Sequence, residues 1–209
     1  MTTTAQTSPA YPAHSLAFRA ASAFGAVAAL TLSMLPGVSH AIEEPTYTTL
    51  RTLNDIELRE YAAYTVAEVL VNADASDAGN RAFPILAGYI FGKNKSGHSF
   101  AMTAPVTQSA AAGGFMVQFV LPKGVTVANA PEPLDARVML REVAPQRVAV
   151  IRYSGFWSES NYNEHLAKLQ SGLRAADIAW TGEPVYSRYD GPMTPWFLRR
   201  NEIWLQLAL

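Results

Sequence analysis

Cysteine is absent from all 209 residues of this chain. Without cysteine the chain has no disulfide, no thiolate-bound metal and no cysteine nucleophile. The net charge is also small, because the chain has 16 lysine and arginine residues and 17 aspartate and glutamate residues. The two signs are interspersed without runs. Binding of a polyanion needs a concentrated basic surface, so nucleic acid is not expected as a partner.

Motifs of enzyme catalysis are missing as well. The chain has no Gly-x-Ser-x-Gly nucleophile elbow, and Gly113-Gly114 is too short to form a phosphate-binding loop. Asp190 and Glu202 are carboxylates near the last predicted loop, but arginines neighbour both, so ion pairing explains them better than acid–base chemistry. The sequence therefore shows no dedicated acid–base pair and favours a protein that is not an enzyme.

The first 41 residues are typical of a removable export signal. Arg19 precedes an apolar run from Ala20 to Leu35, and Ser39-His40-Ala41 provides the small residues of a cleavage site. A membrane anchor formed by the uncleaved segment is the alternative, but an anchor needs roughly 20 apolar residues, and this run is shorter. We predict a signal peptide over residues 1–41, cleavage near Ala41, and a periplasmic or secreted chain without a stable membrane anchor.

Residues 42–209 are expected to form one domain in two halves, about 45–122 and 134–209. Each half reads strand, strand, helix, strand, strand. This order predicts an α+β fold, a distorted antiparallel β-barrel of two pseudo-symmetric halves with two helices packed outside. The predicted strands are 47–53, 56–61, 64–71, 99–107, 115–121, 137–143, 148–153, 184–189 and 202–207.

The two helices are predicted from apolar residues at helical spacing and from their caps. The first follows a polar loop over 74–80 with Asp77 as N-cap, begins close to Pro84 and ends at Gly92. The second runs from Ser158, its predicted cap, to Ala175.

An apolar groove is the main candidate for a binding site. The stretch from Phe83 to Val106 reads as an apolar helix, a turn and a strand, and a flat ligand could enter between such layers. In the later loop between Pro192 and the last strand, apolar side chains are expected to face solvent or a ligand. Aromatic and methionine side chains suit a large flat hydrophobe, and Arg199 and Arg200 could meet its acidic substituents.

Histidine is scarce beyond the predicted cleavage site, where only His98 and His165 remain. Neither has a second histidine or a carboxylate at metal-ligand spacing. His165 lies beside the apolar stripe of the second helix among polar neighbours, so we interpret it as a solvent or edge residue. His98 lies in the turn after the first helix, where its ring could reach the groove or point into solvent.

Five motifs stand in the chain in the following order: Ile56–Tyr61 (IELREY), Gly88–Asn94 (GYIFGKN), Met102–Val106 (MTAPV), Arg188–Pro192 (RYDGP) and Arg199–Leu205 (RRNEIWL). In this order they resemble the SOUL heme-binding family, over about Pro45 to Leu207. The resemblance implies the two-half barrel, and it implies binding of heme or a related tetrapyrrole in an exposed apolar groove between the first helix and the loop before the last strand.

Carried over by position, the resemblance assigns the groove to Phe83, Leu86, Ala87, Ile90, Met193, Trp196 and Phe197. A basic residue early in the helix meets a heme propionate in some members. The matching position here is Asn80, which leaves Arg81 beside it as the candidate. The histidine proposed as iron ligand in some members lies upstream of the helix, where this chain has none, so His98 is the candidate axial ligand.

Three interpretations of function remain open. The leading one is an exported module that binds heme or another porphyrin without altering it, for transport or buffering. The second is an enzyme that removes the iron or opens the ring. The third is a small-molecule effector-binding module, because the two-half fold also resembles effector-binding domains of some transcription regulators. An exposed groove is equally compatible with a protein partner or a homodimer.

Overall fold

The computed structural model of the chain describes residues 1–2 and 42–208. The predicted export signal and its cleavage site therefore fall outside the described residues, apart from the first two, and stay predictions. The strands are β1 Tyr47–Leu53, β2 Ile56–Tyr61, β3 Tyr64–Val71, β4 Val106–Ala111, β5 Gly114–Val120, β6 Met139–Val143, β7 Gln146–Tyr153, β8 Trp180–Arg188 and β9 Asn201–Leu207. The helices are α1 Ala75–Ile90 and α2 Glu159–Ala175, with a short 3-10 helix at Trp196–Leu198.

The nine strands form one sheet in the order β1-β2-β7-β9-β8-β4-β5-β3-β6. Every neighbouring pair is antiparallel. The predicted α+β class is confirmed. A closed barrel is not confirmed, because β1 and β6 form the two ends of the order and no pairing joins them within the described residues.

The pattern of pairing repeats between the two halves. In the first half β3 and β4 both pair with β5, and in the second half β7 and β8 both pair with β9. Two strands pair across the halves, since β2 of the first half pairs with β7 and β6 of the second half pairs with β3. The strands that follow the two helices, β4 and β8, pair with each other at the centre of this arrangement. The loop after β8 therefore starts beside the strand that follows α1.

Both helices cover their own half of the sheet. α1 packs on β3, β4 and β5, and α2 packs on β7 and β9. Apolar residues three and four positions apart on each helix meet the alternate apolar residues of the strands. Burial of each large aliphatic side chain contributes about 1.5–3 kcal/mol. The core under α1 includes Val69, Ala82, Leu86, Ile90 and Val117, and the core under α2 includes Ile151, Leu169, Leu173, Ile203 and Leu205.

The prediction for the start of the first helix is wrong. The helix begins at Ala75, within the segment that was expected to be a loop, and Pro84 lies inside it. Asp74 occupies the N-cap position, and Asp77 lies in the first turn, where it pairs with Arg81 at 2.5 Å. Proline usually ends a helix, but packing of the apolar face on the sheet outweighs that local preference here.

The strand predicted over 99–107 is also wrong in its first part. β4 begins only at Val106, and before it the chain makes single bridges, Phe91 with Ser99 and Glu43 with Thr103. Pro105 lacks the N–H that a ladder needs, which explains why regular pairing begins after it. The predicted ends of both helices are confirmed: Gly92 has φ +99 after α1, and Ser158 Oγ accepts a hydrogen bond from the backbone N–H of Asn161 at the start of α2.

A buried charge cluster lies on the sheet face opposite the helices. The carboxylate of Glu202 is fully buried and accepts hydrogen bonds from Arg59 at 2.9 Å, Arg200 at 2.9 Å, Tyr189 at 2.9 Å and Trp204 at 2.8 Å. Burial alone would raise the pKa of Glu202, but the charges of Arg59 and Arg200 and the hydrogen bonds outweigh it and lower that pKa. Glu202 is therefore ionised in the folded protein at neutral pH.

We predict that Glu202→Gln lowers the free energy of unfolding at pH 7 by about 3–5 kcal/mol, because it leaves the buried Arg59 without its buried carboxylate partner. The matched control is Glu60→Gln, which breaks an exposed pair with Arg147 and should cost less than about 1 kcal/mol. Urea denaturation measures both.

The same variant should change the pH dependence of stability. A carboxylate whose folded pKa is lowered contributes stability above its unfolded pKa, and this contribution is lost as the pH falls through the folded pKa. The difference between the wild type and Glu202→Gln should therefore narrow as the pH falls below 4.5, the ordinary pKa of glutamate. A difference that stays constant down to acid unfolding would contradict the assignment.

Candidate functional site

The loop between β8 and β9 presents large apolar side chains to solvent. Met193, Trp196, Phe197 and Leu198 are between 49% and 92% exposed, and Phe156 in the loop before α2 is 58% exposed. We call these five side chains the apolar patch. Clustered exposed apolar surface of this kind marks a binding surface in a folded protein.

Stacked rings join the two loops of the apolar patch. The rings of Phe156 and Trp196 are 5.2 Å apart and nearly parallel, and Phe197 meets Trp196 edge-on at 5.5 Å. The backbone N–H of Gly155 donates to the carbonyl oxygen of Trp196 at 2.9 Å. The sequence did not lead us to Phe156. Its position between Gly155 and the helix cap at Ser158 indicates a loop, as the prolines around Trp196 do, and could have identified it.

The loop conformation is fixed by hydrogen bonds from two arginines. The backbone N–H of Arg200 donates to the carboxylate of Asp190 at 2.6 Å, which closes the base of the loop. The guanidinium of Arg199 donates from Nε to the carbonyl of Thr194 and from Nη2 to the carbonyl of Pro192, both at 2.8 Å. These hydrogen bonds therefore fix the loop that carries most of the apolar patch, and a ligand need not order this loop when it binds.

Two arginine side chains lie over the ring of Trp157. The guanidinium carbon of Arg199 is 4.4 Å from the centre of this ring and that of Arg188 is 4.6 Å from it. Arg188 also donates to the hydroxyl of Tyr162 at 2.8 Å and to the carbonyl of Ala75 at 3.4 Å. Contacts therefore run from the loop through Trp157 and Arg188 to the first residue of α1.

The helix residues that were assigned to the groove divide into two groups. Phe83 is 47% exposed and packs against the ring of Phe119 at 5.6 Å. Leu86, Ala87 and Ile90 are buried in the core under α1, so in this structure they form core and not a groove wall. The helical spacing that predicted a wall for a ligand is the same spacing that packs a helix on its sheet.

The basic and histidine candidates on the α1 side have other neighbours than the late loop. Arg81 is exposed and already paired with Asp77. His98 is exposed in the turn after α1, and its ring meets Phe100 edge-on at 4.7 Å. The backbone N–H of Phe100 donates a hydrogen bond to the carbonyl oxygen of Ile90, the last residue of α1. α1 has 16 residues and is about 24 Å long at about 1.5 Å per residue, so His98 lies near the end of that helix opposite to the end that the loop contacts reach.

An open cavity of about 570 Å³ lies beside the apolar patch, where α2 faces the end of β7. We call it the loop cavity. It is lined by Asp55, Ile151, Arg152, Tyr153, Ser154, His165, Lys168, Phe197, Leu198 and Arg199. His165 was interpreted as a solvent or edge residue, and the structure places it half-buried in the wall of this cavity. The sequence alone could not bring α2 and the late loop together.

His165 has two contacts that orient its ring. Its ring stacks on that of Tyr153 with centres 4.3 Å apart and planes 18° apart. Its Nδ1 lies 2.9 Å from the carbonyl oxygen of Asn161, one helical turn earlier. A carbonyl oxygen only accepts hydrogen bonds, so Nδ1 carries the proton and the neutral ring has its lone pair on Nε2.

A second cavity of about 530 Å³ lies among residues 43–46, 62–65 and 120–126. Its lining includes the carboxylates of Glu43, Glu44 and Glu142 against a single basic residue, Lys123. This charge balance is unfavourable for an acidic ligand, whereas the loop cavity has three cationic side chains against one carboxylate.

Residues 42–208 contain no group of three or more histidine, aspartate or glutamate side chains placed to chelate a metal ion. Neither described helix is long and apolar enough to cross a membrane.

Comparison with known proteins gives a family and a fold. The family model for the SOUL heme-binding protein matches residues 42–206. Heme-binding protein 1 of Mus musculus is 29% identical over 140 residues, which cover 63% of this chain and 73% of the mouse protein. Heme-binding protein 2 of Homo sapiens is 29% identical over 158 residues, which cover 71% of this chain and 76% of the human protein.

Solved structures share the fold at low sequence identity. The C-terminal domain of EcmrR superposes with a TM-score of 0.56 at 13% identity, over 78% of this chain and 98% of that domain. An uncharacterized conserved protein from Listeria innocua superposes with a TM-score of 0.55 at 11% identity, over 74% of this chain and 92% of that protein. At such identities the likeness shows the fold alone.

We predict that Arg199→Lys loosens the loop, because lysine cannot bond both carbonyls and stack flat on Trp157. Backbone amides over residues 191–198 should exchange with solvent about tenfold faster, in line with the loss of roughly 1.4 kcal/mol of local hydrogen bonding. Hydrogen exchange read by mass spectrometry measures this. The control is Arg152→Lys in the same cavity, which should leave those amides unchanged. Equal exchange in both variants would show that Arg199 does not hold the loop.

Proposed function

The chain belongs to the SOUL heme-binding family, and we propose that it binds heme or a related tetrapyrrole on the apolar patch and in the adjoining loop cavity. The apolar patch is the observation that carries the proposal. Its five large side chains are exposed on loops that hydrogen bonds hold in place. A flat macrocycle would cover the apolar patch and gain contact area from the rings and from the sulfur of Met193.

The residues around the loop cavity fit such a ligand in size and in charge. A volume of about 570 Å³ falls within the range typical of small-molecule sites, about 300–1,000 Å³. Arg152 and Arg199 on its wall provide guanidinium groups for the acidic substituents of a porphyrin. Bound heme would supply a redox-active iron, and the residues of the chain would bind and orient the macrocycle.

We propose reversible binding, for transport or buffering, and not turnover. The site is open on one side, and Phe197 and Leu198 stay largely exposed beside it. A ligand in such a site can leave without a large movement of the protein. The single carboxylate on the cavity wall, Asp55, has no second carboxylate beside it with which to form an acid–base pair.

We predict that replacing both Trp196 and Phe197 with alanine weakens hemin binding about 10- to 100-fold, because two exposed rings that would stack on the macrocycle are lost. Absorbance titration of the purified protein with hemin measures the affinity. The control is Phe91→Ala, which removes an equally exposed ring at the end of α1 and should leave the affinity within about twofold.

Other outcomes would redirect the proposal. Loss of affinity in Phe91→Ala or Phe83→Ala, with the double variant unaffected, would move the site to α1. Progressive loss of the Soret band of the bound complex under reductant would point to an enzyme that acts on the tetrapyrrole. The absence of any spectral change at micromolar hemin would contradict the proposed function itself.

A further inference from the structure

We propose that His165 is the axial ligand of the heme iron in the loop cavity, and that Arg152 and Arg199 pair with the carboxylates at the edge of the porphyrin. This inference rests on the proposed function and assigns residues within the same site. It replaces His98, the ligand candidate of the sequence analysis, with a histidine of the second half of the chain.

The hydrogen bond of His165 is the first observation that supports it. Nδ1 donates to the carbonyl of Asn161 at 2.9 Å, so the lone pair of the neutral ring is on Nε2. Histidines that bind metals almost always donate their other ring N–H to a carbonyl or carboxylate, which fixes the tautomer and the direction of the ligand. His165 has this arrangement before any ligand is bound.

The packing of the ring is the second observation. Tyr153, the last residue of β7, stacks on one face of the His165 ring at 4.3 Å and is itself buried in the core under α2. The ring is thus fixed on one face and at one edge, while it lines the cavity. A ligand fixed in advance loses little rotational freedom when iron binds to it.

The charges around the cavity are the third observation. Arg152, Lys168 and Arg199 line it together with one carboxylate, Asp55. Lys168 already pairs with Glu164 at 2.6 Å. Among residues 42–208, Arg152 and Arg199 have no carboxylate within salt-bridge distance. The guanidinium of Arg152 is therefore available to one carboxylate of a ligand, and Arg199, whose Nε and Nη2 donate hydrogen bonds to loop carbonyls, can offer its Nη1 to the other.

The cavity thus combines three kinds of contact that an iron porphyrin with acidic substituents needs. Phe197 and Leu198 provide apolar cover, the imidazole provides a nitrogen ligand, and the arginines provide counter-charges. His98 offers no such combination, because its ring is exposed in a turn and packs edge-on against Phe100.

The test compares His165→Ala with the matched variant His98→Ala in the purified protein. The wild type is expected to bind ferric hemin with a Soret maximum and an electron paramagnetic resonance spectrum typical of nitrogen ligation. His165→Ala should lose both features and bind hemin about tenfold more weakly, and added imidazole should restore the wild-type spectrum. His98→Ala should match the wild type.

Porphyrins that lack iron or free carboxylates distinguish iron ligation by His165 from the other contacts of the ligand. Iron-free protoporphyrin should bind wild type and His165→Ala within about twofold of each other, because it has no iron to ligate. Arg152→Gln should weaken protoporphyrin binding about three- to tenfold, and this effect should disappear with the dimethyl ester, in which both carboxylates are masked. If His165→Ala does not fold, His165→Gln keeps a donor for the carbonyl of Asn161 and replaces it in every comparison.

Three results would overturn the inference. Hemin bound by His165→Ala with the affinity and spectrum of the wild type would exclude ligation by His165 and leave the proposed function intact. A change of the spectrum in His98→Ala alone would assign the iron to the other half of the chain. If the wild type binds neither hemin nor protoporphyrin, the proposed function fails and this inference fails with it.

Discussion

The buried carboxylate of Glu202 is the interaction on which the architecture of this protein depends. It is held between Arg59 of β2 and Arg200, the residue before β9, and Arg200 also pairs with Glu44 at 2.8 Å. The backbone N–H of Arg200 in turn closes the late loop on Asp190. One charge cluster therefore ties the N-terminal segment and the sheet to the base of the loop that carries the apolar patch. Loss of one partner would leave a buried charge uncompensated, so the cluster acts as a unit.

This anchoring explains how a protein can keep a large apolar surface exposed. The apolar patch is exposed although the cores under both helices are closed and filled by other residues. Polar contacts behind the loop, from Arg199 to two carbonyls, keep the rings from folding back onto the sheet. Exposed apolar area costs free energy in the absence of a ligand, and a tetrapyrrole bound at the proposed site would recover it. The polar contacts that order the loop would then also prepare the apolar patch for a flat ligand.

Much of the fold could be predicted from the sequence, because strand alternation, helical spacing and caps are local signals. Ser158 and Gly92 marked helix ends correctly. Ion pairing of Glu202 with a neighbouring arginine was predicted and is confirmed. The start of α1 was missed because packing outweighs the local effect of Pro84. Leu86 and Ile90 were assigned to the ligand because periodicity shows which residues share a face and not what covers it. His165 was interpreted as a solvent or edge residue because only the tertiary fold brings α2 beside the loop after β8.

Hydrogen exchange of the backbone amides, with and without hemin, tests where on the protein the tetrapyrrole binds. We expect hemin to slow exchange in three separate segments, 152–157, 165–168 and 192–199, because only the loop cavity and the apolar patch bring them together. Exchange over residues 83–98 should not change. Protection confined to α1 and the turn at His98, with the three segments unchanged, would contradict binding at the apolar patch and place the tetrapyrrole on the other half of the chain.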